Sequence, residues 1–175
     1  MDTGGFAVRP GGEADFDGWF ALFEAVAAEG KWIGRELPVD RDAQRRRFFD
    51  DFMHGDSPAA VFVAQAGDRV VGLLDVRTYV GIGEIGMAVD RAWRGRGVGS
   101  ALMAAGVGWA RDQQLHKMAL QFWPHNSAAR GLYEKFGFVQ EGYLRRHYRR
   151  RNGELWDAVV MGLVLDETSP GSTIS

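Results

Sequence analysis

Two arginines and three glycines fall within six consecutive positions, Arg94, Gly95, Arg96, Gly97, Val98 and Gly99, and this is the stretch of the chain best suited to chemistry on an anion. Glycines let a backbone come close to a ligand, and cations beside them favour negative charge. Upstream, Ile82 to Val89 has the apolar, β-branched content of a buried strand. Downstream, Val98, Ala101, Leu102, Ala105 and Trp109 recur at helical spacing, so a helix begins at or just after the glycines. Strand, glycine turn and helix N-terminus together make a phosphate cradle, because the first N–H groups of a helix lack internal partners. Taken alone, the segment also reads as a tight strand-to-helix turn with two solvated arginines.

The spacing excludes two common cradles. The dinucleotide fingerprint needs a glycine at its sixth position, and counting from Gly95 that position is Ser100. The ATP-binding loop ends in Gly-Lys-Ser or Gly-Lys-Thr, and neither tripeptide occurs. A second cluster follows, Asn126-Ser-Ala-Ala-Arg-Gly-Leu-Tyr133-Glu-Lys-Phe-Gly-Phe138. Asn126 and Tyr133 lie close to two helical turns apart and so share one side of a short helix, while Leu132 and Phe136 share a face that can pack on a sheet.

Arg-x-x-Gly-x-Gly followed by Asn-x-x-Ala-x-x-x-Tyr-x-x-x-Gly-Phe resembles the GNAT acetyltransferases, the general control N-acetyltransferase superfamily. The likeness runs from Ile82 to Leu165; the first half agrees only in element order. It implies acetyl-CoA as co-substrate and an N-acetyltransferase as the activity. Backbone groups of Met87, Ala88 and Val89 would pair with the pantetheine arm as if it were another strand. The segment Arg94, Gly95, Arg96, Gly97, Val98, Gly99 and Ser100 would hold the pyrophosphate. Asn126 would bind near the pantetheine or thiol end, and Tyr133 would sit by the thioester sulfur. The ending Arg-Asn-Gly-Glu-Leu-Trp-Asp157, with Met161, is similar to bacterial members that acetylate amino acids, small peptides or polyamines. The likeness also allows a homodimer through the final hairpin.

The implied reaction is direct attack of a neutral amine on the thioester. It needs a base, a donor for the oxyanion and a proton for the departing thiolate. An N–H near Ala88 or Val89 suits the oxyanion. Tyr133, with an ordinary pKa of about 10, suits the thiolate; it also reads as a core tyrosine. Many relatives carry a glutamate on the strand before the asparagine motif, where this chain has Gln121, which cannot serve as a base. Glu84 is the first candidate, since Gly86 and Ala88 at the same strand period leave room on its face; a solvated strand-end carboxylate is the competing reading. Asp75, inside the apolar run Val70 to Val76, is second, ahead of His125, Glu29 and Glu36. A water chain is a further route. Catalytically silent binding of an acyl-CoA, as sensor or scaffold, and acetylation of a protein N-terminus or an aminoglycoside also stand as alternatives.

The elements that must position these groups form a single α/β domain around a mixed, mostly antiparallel sheet flanked by helices, over 6–166. Residues 1–5 and 167–175 read as flexible ends. Phe6 to Arg9 is a first strand. Asp15 is placed to cap a helix bearing Phe16, Trp19, Phe20, Phe23 and Val26, closed by Gly30. Lys31 to Val39 is a loop, and Arg41 to Met53 a second helix with Phe48, Phe49 and Phe52 inward and Arg45 to Arg47 in solvent. Ala60 to Ala66 and Arg69 to Thr78 flank a Gly67-Asp68 turn, ahead of the central strand. The long helix continues to about Gln114, followed by a strand from His116 to Trp123 and a short helix from Ser127 to Phe136. Gly142 to Arg151 and Glu154 to Leu165 flank Asn152-Gly153, the strongest hairpin signal in the chain.

Composition narrows the remaining classes. A net charge of −2 gives no general attraction to nucleic acid or acidic membranes. The run Arg145, Arg146, His147, Arg149, Arg150 and Arg151 alternates across a strand, so it does not make one basic face; some of it is expected to line the acceptor site or meet Glu154 and Asp157. No apolar run approaches the ~20 residues of a membrane helix. Cysteine is absent, which removes disulfides and a thiol nucleophile, and the histidines lack metal-ligand spacing. The expectation is a cytoplasmic enzyme acting on a small amine, with no metal.

Overall fold

The computed structural model describes residues 5–55 and 57–166; both chain ends read as flexible lie almost wholly outside the described residues. Seven strands form one sheet in the order β1-β2-β3-β4-β5-β7-β6. They are β1 (Ala7–Pro10), β2 (Ala59–Ala66), β3 (Arg69–Tyr79), β4 (Ile82–Val89), β5 (Lys117–Phe122), β6 (Val139–Arg149) and β7 (Leu155–Val164). Every pairing is antiparallel except β4 with β5. Among the described residues, no helix is long and apolar enough to cross a membrane.

The helices divide between the two faces: α1 (Phe16–Ala28), α2 (Arg41–Phe48), α3 (Val98–Asp112) and α4 (Ser127–Lys135). On one face Val98, Leu102, Met103 and Val107 of α3 pack with Tyr133 of α4 against Val71, Leu74, Val76 and Met118. On the other, Phe16, Trp19, Phe20 and Val26 of α1 and Phe48 of α2 cover Val61, Val63, Leu73 and Ala88. This is the period-2 alternation of a sheet buried on both sides. The α3 helix lies close because β3 has Gly72 beneath it: a Cβ there would come within 2.6 Å of Val98. That contact fixes where the N-terminus of α3 stands relative to β4.

Most expected elements are present, with shifted ends. The second helix departs most: its α-helical part stops at Phe48, and Phe49–Met53 form a wider π turn that presents Phe49 and Phe52 to the same cluster. Asp15 does not cap α1. Its carboxylate accepts from Arg9 at 2.6 and 2.8 Å and from the Gly12 N–H at 2.8 Å, fastening a 3₁₀ turn ahead of the helix. Its pKa is lowered chiefly by the Arg9 hydrogen bond. The strand β6 starts earlier than expected, at Val139, and bulges between Leu144 and Tyr148 with Arg146 at φ +50°, so the basic run does not alternate regularly.

Candidate active site

The sheet opens where β4 and β5 part. Their parallel pairing covers Ile82 with Lys117, Gly83 with Met118 and Glu84 with Ala119, and goes no further. From Ile85 to Val89 the edge of β4 that faces β5 has no strand partner among the described residues, although its other edge stays paired with β3 through Gly72↔Val89. Parallel strands that splay leave a wedge bounded by orphan backbone groups. A cavity of about 640 Å³ fills this wedge, lined by Ile85 to Val89, by Arg94, Gly95, Gly97, Gly99 and Ser100 of the turn, and by Asn126 and Tyr133 of the second motif.

At one end of the cavity is the N-terminus of α3. Gly97 is its N-cap in the left-handed region (φ +85°), Gly95 has φ +73°, and no side chain caps the helix. The first intrahelical bond runs from Ala101 N–H to the Gly97 carbonyl, so the preceding N–H groups are free to meet an anion. Gly95, Gly97, Gly99 and Ser100 line the cavity. Val98 instead turns into the core, 1% exposed. The two arginines are not two solvated cations. Arg96 lies on the surface over the Trp93 ring at 5.3 Å and does not line the cavity. Arg94 lines it, but its guanidinium is held by the Glu29 carboxylate at 2.5 and 2.9 Å, its Nε donates to the Val89 carbonyl at 3.1 Å, and it stacks on Trp32 at 5.4 Å. Burial opposes ionisation of Glu29, and the Arg94 hydrogen bond wins, holding its pKa below the ordinary range. The Val89 carbonyl is therefore already used, and Met87, two residues before it on the same edge, stays open.

At the other end, Asn126 caps α4, its Oδ1 accepting from Ala129 N–H at 3.1 Å, and lines the cavity. Tyr133, two turns on, is buried at 7% exposure against Phe122 and Phe138. Its hydroxyl has no hydrogen-bond partner among the described residues and is not sealed from the cavity. Burial pushes its pKa up to about 12, so the proton stays on. The position in place of the expected glutamate, Gln121, also lines the wedge, and its Oε1 accepts from the Tyr148 hydroxyl at 2.7 Å.

A second cavity, of about 380 Å³, lies on the α1–α2 face and shares Ile33, Gly34, Gly86, Met87, Ala88 and Tyr148 with the first. Asp75 of β3 lines it, 6% exposed, with its carboxylate directly over Gly86: a Cβ there would lie 2.8 Å from Oδ2. Burial raises its pKa more than the neighbouring Arg77, which donates to it at 3.0 Å, lowers it. Glu84, the first candidate base, is not brought here. It belongs to the paired part of β4, is exposed, and lines neither cavity.

Sequence reasoning missed Tyr148, hidden in a basic run, and the tryptophans. Tyr148 stands between the two cavities, edge-on to Trp123 at 5.2 Å. The arginines beside it clamp the loop after α1. Arg150, 5% exposed, lies over Trp156 at 4.5 Å, donates to the Gly34 carbonyl at 3.1 Å and faces Glu36 at 3.5 Å. Arg151 reaches Glu36 through its N–H and the Leu37 and Pro38 carbonyls through its side chain. His125 meets the Lys31 carbonyl at 2.8 Å. Asp157, expected to meet an arginine, accepts from the Tyr143 hydroxyl and the Arg146 N–H.

The acetyltransferase (GNAT) family model matches residues 21–138. The L-methionine sulfoximine/L-methionine sulfone acetyltransferase of Pseudomonas aeruginosa is 31% identical over 168 residues, 93% of this chain and 96% of that protein. The L-amino acid N-acetyltransferase AaaT of Escherichia coli is 36% identical over 87 residues, 47% of this chain and 51% of that one. Among solved structures, the acetyltransferase yncA of Salmonella typhimurium with its cofactor acetyl-CoA superimposes with a TM-score of 0.81 over 96% of this chain and 99% of that one, at 22% identity, a likeness of fold. The chain belongs to the acetyltransferase (GNAT) family, as an acetyl-CoA-dependent N-acetyltransferase.

Proposed function

We propose that this chain moves the acetyl group of acetyl-CoA to the primary amine of an amino acid, small peptide or polyamine by direct attack in a ternary complex. The observation that carries this reading is the meeting of two cavities at Gly86, Met87 and Ala88. One holds an anion-binding helix terminus and an unpartnered tyrosine; the other approaches the same backbone from the opposite face with a buried carboxylate. The printed activities of the relatives, transfer to methionine sulfoximine or sulfone and to L-amino acids, support a small amine as acceptor.

The free N–H groups from Gly97 to Ser100 hold the pyrophosphate, with Gly95 giving the backbone its close approach and Arg94 acting from behind through the Glu29 clamp. Met87 and the Val89 N–H offer the strand-like pairing for the pantetheine arm, and Asn126 offers its NH₂. Acetyl-CoA supplies a thioester. A proton leaves the attacking amine, the C–N bond forms as the C–S bond breaks, and the thiolate takes a proton. Asp75 is better placed than Glu84 to receive the first proton, since burial raises its basicity and it touches Gly86. An N–H at Ala88 or Val89 meets the oxyanion. Tyr133 gives the second proton. The test is amine-dependent release of thiol from acetyl-CoA; stabilisation by acetyl-CoA without release would make the chain a binder rather than a transferase.

A further inference from the structure

The second cavity carries an imbalance of charge that the transfer chemistry does not use. Three guanidinium groups line it: Arg35 from the loop after α1, Arg47 from α2 and Arg77 from β3. Two carboxylates answer them. Asp75 takes Arg77 at 3.0 Å, and Asp51 takes Arg47 at 3.3 Å while standing 3.8 Å from Arg77. Arg35 has neither a hydrogen bond nor an ion pair among the described residues. It is largely exposed where it lines the cavity and faces two like charges there, so partial burial first, and then Arg47 and Arg77, push its pKa down. An arginine in such a place gains most from an anion brought by a ligand.

A second observation falls in the same cavity. Trp19, 5% exposed, has its indole N–H buried with no hydrogen-bond partner among the described residues, and it lines this cavity. A buried unpaired donor is rare and signals a missing partner. The rest of the wall is aromatic, with Phe23, Phe48 and Phe52.

We propose that the acceptor is an amine bearing a carboxylate and an apolar body, that Arg35 and Arg47 take the carboxylate, and that a polyamine is excluded from this site. The proposal rests on the transferase reading for its direction: the amine end points to Asp75 and Gly86, the carboxylate away from them. A polyamine would place a second cation among the three arginines, and like charges in a partly desolvated cavity repel.

The experiment measures thiol release from acetyl-CoA with L-leucine, L-methionine and L-phenylalanine, each beside its amide, and with spermidine. The acids should exceed their amides in kcat/KM by about tenfold or more, and spermidine should be slowest. In Arg35→Gln the acid-to-amide ratio should fall about tenfold. Arg46→Gln, on the exposed side of α2, should keep it. A second arm needs no turnover: N-acetyl-L-methionine and N-acetyl-L-phenylalanine should raise the melting temperature of the CoA-loaded chain more than their amides do, and Arg35→Gln should remove the difference. Equal rates on acid and amide, or a ratio untouched by Arg35→Gln, would overturn the proposal, as would a melting difference that survives the substitution. No turnover with any amine, together with Arg35-dependent stabilisation by the acids, would overturn the transferase reading and leave the carboxylate site standing.

Discussion

Glu29 at the end of α1 and Arg94 in the glycine turn are joined in a two-pronged ion pair at 2.5 and 2.9 Å, across the mouth of the wedge. The bond ties the glycine turn before α3 to the end of α1 and the loop that follows it. Trp32 strengthens it from below, donating its indole N–H to Glu29 at 2.7 Å and lying under the Arg94 guanidinium. The arginine of the first motif thus holds two loops in register, and the helix behind it is left without a side-chain cap.

Glu29→Gln should therefore act on stability and on the acceptor. The pair is partly exposed, so its loss should cost about 1 kcal/mol, or roughly 2–4 °C in melting temperature for a chain of this size. KM for the amine should rise more than the Kd of acetyl-CoA. The acid side carries a further signature. The Glu29 pKa is depressed in the folded state, so its stabilisation is present above the ordinary carboxylate range and is lost as pH falls through the folded value. Wild type should lose stability faster than Glu29→Gln in melting curves taken below about pH 4.5.

Tyr133→Phe should lower kcat by about a hundredfold and leave acetyl-CoA affinity within about twofold, because it removes a donor used as the C–S bond breaks. With its pKa near 12, Tyr133 should add no alkaline limb to the rate profile at or below pH 10. Unchanged turnover in the variant excludes the assignment.

Asp75→Asn and Glu84→Gln separate the two candidate bases. Asp75→Asn should cut kcat/KM by about a hundredfold or more and abolish the acid limb of the pH profile, whereas Glu84→Gln should stay within about twofold of wild type. Stability should move the other way. The Asp75 pKa is raised in the folded state, so its contribution is fully present below the ordinary carboxylate range and is lost as pH rises through the folded value. At pH 8 Asp75→Asn should melt at or above the wild-type temperature. A fully active Asp75→Asn returns the base to water or to another group.

Gly97→Ala tests the helix terminus. A Cβ at Gly97 meets nothing within 4 Å, so only the φ of +85° opposes it, at about 1–2 kcal/mol. The distorted turn should weaken acetyl-CoA binding, read by titration calorimetry, with the acceptor KM little changed.

The turn and the two motifs were legible because glycine spacing and helical period are local properties. The Asn126 cap and the side shared with Tyr133 follow from the same arithmetic. Glu84 shows what local reading lacks. It lies on the central strand as read, yet the register between β4 and β5 decides how far along the strand the cavity begins, and that pairing ends at Glu84. Asp15 had two suitors for its carboxylate, the helix and Arg9, and only the fold shows that Arg9 won. Tyr148 was masked by a bulge that no alternation rule anticipates.

The most direct test of the central claim is thiol release from acetyl-CoA by the purified chain with and without an amine. The chain has no cysteine, so every thiol detected is coenzyme A. Release that saturates with amine and drops about a hundredfold in Tyr133→Phe is the predicted result. Thermal stabilisation by acetyl-CoA with no release on any amine, or release indifferent to Tyr133, would contradict it.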